Sequence, residues 1–194
     1  MNGDTVHVLG ICGSLRRQSF NRHALEAAVG LAPPGMTIET FDIGGIPLFN
    51  QDEEKQPPPV VRELKSRIRA ADAILFATPE YNYSIPGVLK NAIDAASRPY
   101  GDSAWDGKPA AILSASGGQL GGARAQYHLR QCFVFLNMYA VNQPEVMIPN
   151  GATSFDAGGK LTNETSIQLI RGLLESLATL TRTMRQGREA LTPG

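Results

Sequence analysis

The sequence predicts an α/β fold: a parallel sheet of five strands with helices on both faces. Two observations carry that expectation. Short apolar runs alternate with segments of helical period, and the two most distinctive loops each follow an apolar run and open a helix. The runs at 6–12, 37–41, 73–77, 110–114 and 145–148 are the strands. Strands separated by helices pair in parallel through crossovers and are covered on both sides.

The helices follow from their apolar spacing. Val61, Leu64 and Ile68 give the second helix a buried stripe, and Val88, Leu89, Ala92, Ile93 and Ala96 do so for the third. Over 122–136, Ala125, Leu129, Cys132 and Leu136 form one stripe expected to face the sheet. Arg124, Tyr127, His128 and Gln131 fall on a different face. Ile170, Leu173, Leu177, Leu180 and Met184, three and four apart, pack the last helix along the sheet. Pro57-Pro58-Pro59 is a stiff lead into the second helix. No repeat, low-complexity tract or linker interrupts the chain, so residues 1–194 read as one domain.

Composition excludes several functions. With 18 basic and 18 acidic residues the formal charge is zero, which leaves no electrostatic footprint for nucleic acid or an anionic membrane. No window approaches the roughly 20 apolar residues of a membrane helix. The opening Met1-Asn2-Gly3-Asp4 carries no basic or apolar leader, so a soluble cytoplasmic protein is expected. Cys12 and Cys132 stand in no metal-ligand or CxxC spacing and read as free thiols, and no metal site is expected.

The chemistry lies in the loops. Gly13-Ser14-Leu15-Arg16-Arg17-Gln18-Ser19-Phe20-Asn21 follows the first strand and suits a bound phosphate. Ser14, Ser19 and Asn21 offer short donors, and Arg16 offers a charged fork. Ser19 or Asn21 equally caps the first helix, and a cap and an anion donor occupy the same place. Phe20 packs under the loop or against the ligand. Pro79-Glu80-Tyr81-Asn82 follows the third strand as a flat, aromatic, amide-rich turn that suits a planar ring. A phosphate at one strand end and a ring at the next describe a mononucleotide site at a topological switch point, with FMN as the candidate.

Other phosphate chemistries fit poorly. Neither G-x-G-x-x-G nor G-x-x-x-x-G-K-[ST] occurs. A low-molecular-weight phosphatase needs C-x5-R, and here Gln18 stands where the arginine would follow Cys12.

These residues resemble the NADPH-dependent FMN reductase family, nearest its quinone and chromate reductase branch. The resemblance rests on Gly13-Ser14-Leu15-Arg16 with Ser19 and Asn21, and on Pro79-Glu80-Tyr81-Asn82-Tyr83-Ser84 running into Pro86-Gly87-Val88-Leu89-Lys90-Asn91-Ala92-Ile93-Asp94. Gly121-Gly122-Ala123-Arg124 with Tyr127 completes it. It implies a flavodoxin-like three-layer sandwich with strand order 2-1-3-4-5. Ser14, Arg16, Ser19 and Asn21 would surround the FMN phosphate. Pro79, Glu80, Tyr81 and Asn82 would meet the ring mainly through backbone, with the N–H near Asn82 beside the flavin N5 and Tyr81 as a wall. Ser116, Gly117 and Gly118 would form a third loop at the pyrimidine edge. Glu80 is either a surface carboxylate or, by resemblance, an organiser of the loop or of a subunit contact.

The resemblance also implies the activity. NADPH or NADH reduces the bound flavin, the oxidised nicotinamide leaves, and an acceptor collects electrons on the same face. Flavin carries the hydride chemistry itself, so no side chain is assigned a catalytic role. Quinones are the favoured acceptors, with chromate, azo compounds and free flavin as alternatives. A homodimer or homotetramer with Arg124 and Tyr127 at a contact is implied. The stretches 99–105 and 152–160 are the least family-like. A flavodoxin-type electron carrier is the second reading, but such carriers present an acidic surface and a T-x-T-G-x-T loop. This chain is neutral and has Arg16 and Arg17 there.

Overall fold

The computed structural model describes residues 5–191, so the opening segment read above lies outside it. The order is β1 (Val6–Cys12), α1 (Phe20–Gly30), β2 (Met36–Phe41), α2 (Pro59–Ala70), β3 (Ala73–Ala77) and α3 (Gly87–Ala96). Then follow β4 (Pro109–Ala115), α4 (Ala123–Leu136), β5 (Tyr139–Ala140), β6 (Val146–Ile148), α5 (Gly151–Ser154) and α6 (Glu164–Leu191). All pairings within the sheet are parallel, in the order β2-β1-β3-β4-β5, with β6 also on β4.

The expected order 2-1-3-4-5 is present, with one refinement. The fifth position is shared by two short segments: β5 beside Pro109 and Ala110, and β6 beside Leu113, Ser114 and Ala115. Pro144 lies between them and has no N–H to give a ladder, so a continuous fifth strand does not form there.

Strand side chains alternate between two cores. On one face Leu9, Ile11, Ile74, Phe76 and Ile112 meet α2, α3 and α4 through Val61, Leu64, Ile68, Leu89, Ile93, Leu129 and Phe133. On the other, Val8, Leu75, Ala77, Leu113 and Ala115 meet α1 and α6 through Ala24, Leu25, Ile170, Leu173, Leu174 and Leu177. The first core is aromatic: Phe76 lies 5.8 Å from the Trp105 ring and 5.4 Å from that of Phe133.

One expectation needs correction. The sheet-facing stripe of α4 is Ala125, Gln126, Leu129, Phe133 and Leu136, while Cys132 only flanks it. Phe133 supplies the volume that closes on Phe76. Gln126 is buried there by donating to Ser114 Oγ at 2.7 Å and Val146 O at 2.8 Å. Trp105 ends the loop 99–105, one of the two least family-like stretches, and is fully buried with Nε1 donating to Ile93 O at 3.0 Å. That loop closes the core beneath α3.

Candidate functional site

Because β1, β3 and β4 are neighbours, the loops leaving their carboxyl ends lie side by side. Gly13 N donates to Ala77 O at 2.8 Å, and Thr78 N to Leu113 O at 3.0 Å. Ser116 N donates to Ile148 O at 3.1 Å. All three loops read from the sequence therefore meet on one edge.

The first loop is organised by its own residues. Ser19 is the N-cap of α1, its Oγ accepting from Asn21 N at 3.3 Å, and Ser14 Oγ accepts from Arg16 N at 3.4 Å. Both serines are buried. Arg16 stays at the exposed lip, with Nη2 donating to Gln18 O at 3.2 Å, and Leu15 is 53% exposed. Among the described residues no chain partner meets the amides of Leu15, Arg17 and Gln18. Those amides, the helix start and one arginine make a cradle for a dianion.

Two residues of that loop make their contacts within the chain. Asn21 is buried and spends both polar ends on one residue: Nδ2 donates to Ala115 O, and Oδ1 accepts from Ala115 N, each at 2.8 Å. It ties α1 to the last residue of β4, which aligns the first loop with the third. Phe20 stacks on Phe155 at 5.6 Å and presses on Gly151, where a Cβ would come within 2.4 Å of its ring. Phe20 therefore packs beneath the loop.

The second loop is a tight turn. Tyr81 and Ser84 exchange backbone hydrogen bonds at 3.0 Å, with Asn82 and Tyr83 both left-handed at φ 49° and 66°. Pro79 is buried, while Tyr81 and Asn82 are exposed at the edge. Among the described residues the Asn82 amide has no chain partner. Glu80 turns away from the edge: Oε1 accepts from Arg124 Nε at 2.6 Å, and Oε2 accepts from Arg124 N at 3.0 Å and Ala125 N at 3.3 Å. Burial pushes its carboxyl up, but the Arg124 guanidinium and the two backbone amides reverse that and hold it below its ordinary value.

The third loop is held by Ser116, whose Oγ donates to Gly118 O and accepts from Gly118 N, at 3.1 and 3.2 Å. A Cβ at Gly117 would meet nothing within 4 Å, and one at Gly118 only Ser116 Oγ. Neither glycine has a left-handed φ. Packing within the chain thus does not demand them, whereas close approach of backbone to a flat ligand would. Sequence reasoning missed the support beneath: Gly151 N donates to Ser116 O at 2.9 Å and Asn150 N to Gly118 O at 3.1 Å. The turn-prone pair Asn150-Gly151 was the available signal.

Cys12 ends β1 below the first loop. Burial pushes its thiol above the ordinary 9.0, against smaller opposing effects of the Ser14 backbone and Arg22. A partly buried thiol with a raised pKa is a poor nucleophile, which argues against the phosphatase chemistry. Cys12 and Cys132 are both free and lie on opposite sides of the sheet. Among the described residues no His, Cys, Asp or Glu group could hold a metal ion, and no helix is long and apolar enough to cross a membrane.

The donor set fits an FMN: an amide-rich helix start with an arginine for the phosphate, a turn with an unpaired N–H for the ring, and an open glycine pair beside it. Residues 6–153 match the family model described as NADPH-dependent FMN reductase, and the chain belongs to that family. It is 55% identical over 183 residues to an NAD(P)H-dependent FMN reductase of Pseudomonas aeruginosa, covering 94% of this chain and 98% of that one. It is 47% identical to an NAD(P)H:quinone oxidoreductase of Solanum tuberosum, over 90% of this chain and 92% of the other. The solved NAD(P)H:acceptor oxidoreductase FerB of Paracoccus denitrificans superposes with a TM-score of 0.85 at 35% identity, covering 93% and 99% of the two chains. The family defines an oxidoreductase that uses FMN and NAD(P)H.

Proposed function

We propose that this protein is a quinone reductase that takes electrons from NAD(P)H through one FMN per chain. The observation that carries the reading is the convergence of three loops with unpaired amides on the carboxyl edge of β1, β3 and β4. Arg16, Ser14 and the amides ahead of α1 would hold the phosphate, with Ser19 shaping the turn. Residues 79–82 would orient the ring through their backbone, and Ser116, Gly117 and Gly118 would line its other edge. When bound, the flavin supplies the hydride and electron transfer. Chromate, azo compounds and free flavin are secondary acceptors in this reading. Two free thiols suit a reducing compartment, so we place the protein in the cytoplasm.

The purified protein should be yellow, and NADPH should bleach it under anaerobic conditions. A yellow protein that NADPH leaves unbleached is instead an electron carrier. One open face for donor and acceptor predicts parallel initial-rate lines at several quinone concentrations, and intersecting lines would reject that scheme.

We also propose a dimer or a dimer of dimers, with α4 at a contact. Tyr127 is half exposed, its hydroxyl 3.3 Å from Glu145 Oε2, and Val134 and Phe135 on the same helix face are 83% and 80% exposed. Aromatic side chains of this kind are enriched at interface centres. Arg124, by contrast, is already committed to Glu80 and to the Tyr83 ring. Light scattering of the wild type and of Arg124→Ala/Tyr127→Ala tests the contact: a monomeric wild type, or an unchanged mass in the variant, overturns it.

A further inference from the structure

The stretch 152–160, one of the two least family-like, packs on the first turns of α1. Phe155 stacks on Phe20, and its ring centre lies 6.1 Å from that of His23. Asp156 then folds the chain back: its Oδ1 accepts from Gly158 N and Lys160 N, each at 2.9 Å, and Phe155 pairs with Leu161 in a β-bridge. In that turn Gly159 is left-handed at φ 86°, and a Cβ there would come within 2.4 Å of His23 Cε1. A backbone that meets an imidazole this closely has no room for any other residue. Hence His23, near the start of a surface helix, has a side chain only 12% exposed.

Both nitrogens of the seated ring have partners: Nδ1 lies 3.2 Å from Glu26 Oε2, and Nε2 lies 3.3 Å from Gln18 Oε1. The end of a glutamine presents either its oxygen or its NH2 group, so the second contact forms with the ring neutral or charged. Gln18 is the joint of the phosphate loop. Its carbonyl accepts from Arg16 Nη2 at 3.2 Å, and among the described residues its amide meets no chain partner. Holding the Gln18 side chain therefore holds both the peptide that fixes the arginine and the one that faces the anion. Without that anchor an exposed glutamine would be ordered by the ligand, at a cost in affinity.

We propose that His23 is a positioning residue for the phosphate loop: seated against Gly159 by the turn 155–161, it holds Gln18 so that the flavin phosphate meets a loop already formed. The inference rests on the flavin reading above, so its test carries one arm without flavin. His23→Phe keeps a flat ring against Gly159 but removes both nitrogens. Gln18→Leu breaks the contact from the other side, at an exposed position that the core does not use. In the flavin-free protein, titration with inorganic phosphate, followed at the amide resonances of Arg17 and Gln18, should show an affinity lower by about fivefold in each variant. In the loaded protein FMN affinity should fall by the same factor and the phosphorus resonance of the bound phosphate should shift, while the visible spectrum of the ring stays that of the wild type. The double variant His23→Phe/Gln18→Leu should bind no more weakly than either single one, since the two share one contact. Losses that multiply instead overturn the proposal, because His23 would then act on the fold and not through Gln18. Unchanged phosphate and FMN affinity in the single variants overturns it as well. A wild type that binds phosphate but no FMN sinks the flavin reading alone, and the phosphate arm still decides the role of His23.

Discussion

The phosphate loop and the ring loop sit side by side on the same sheet edge but are built in opposite ways. In the first, Ser14, Ser19 and Arg16 bond to atoms two residues away. In the second, Glu80 and Ser84 bond to residues 44 positions later in the chain. A self-organised loop is free to leave its amides facing outward, because its hydroxyls already define the turn. The strained turn depends on a distant helix, so its shape is a property of the packed fold. Damage to the first loop should therefore appear in ligand affinity, and damage to the second in loop order as well.

Breaking the link between the loops should have the largest effect. Asn21→Ala leaves the buried N–H and C=O of Ala115 without partners. The expected loss is about 3 kcal/mol of folding stability, since each stranded group costs about 1–3 kcal/mol. Urea unfolding measures it, and a loss under about 1 kcal/mol would mean that β4 does not depend on this bridge.

Arg16→Ala should separate affinity from stability. Loss of one charge-assisted bond should weaken FMN binding by about 1.5–3 kcal/mol, tenfold or more, with folding stability unchanged to within about 0.5 kcal/mol. Calorimetric titration with FMN checks it, and unchanged affinity refutes the assignment of Arg16 to the phosphate.

Acid should act on the ring loop before the phosphate loop. Glu80 is held below its ordinary value of 4.5, and Asp102 below 3.8 by its bonds from Lys65 and Arg69. Groups of lowered pKa stabilise the fold fully above their unfolded values, and that contribution is lost as pH falls through the folded ones. Stability should stay level from about pH 7 to 5 as far as these two groups are concerned, then decline below the ordinary glutamate range. Glu80→Gln should flatten the upper part of that decline, and chemical unfolding at a series of pH values measures it.

The smallest effect is expected at Tyr83→Asn. Asparagine accepts the left-handed backbone that tyrosine resists, while the ring under Arg124 is lost. These changes oppose each other, so the melting temperature should move by no more than about 2 °C. A fall of several degrees would mean that the stacked ring outweighs the backbone strain.

Most of the proposed site was legible because its residues lie at strand ends, where apolar runs give way to glycines, hydroxyls and amides. Gly13 to Ser19 and Pro79 to Asn82 were read from that transition, Ser116 to Gly118 from the family resemblance, and the sheet order brought the three loops together. The exceptions share a cause. Asn21 looks like any helix-start donor until Ala115 is beside it, and Trp105 looks like a loop aromatic until Ile93 accepts its N–H. Glu80 reads as either a surface carboxylate or, by resemblance, an organiser of the loop or of a subunit contact until α4 supplies its partners. Cys132 was assigned to the sheet-facing stripe in place of Phe133, because helical period alone cannot rank two neighbours by the space available on the facing sheet.

By itself, then, the sequence determined the alternation of strands and helices, the family and the three loops, because hydrophobic period and turn chemistry act over a few residues. Tertiary structure alone decided which polar side chains remain free for a ligand. A buried donor must find its acceptor wherever the packing places one. For Asn21 that place was 94 residues away, and for Glu80 it was 44.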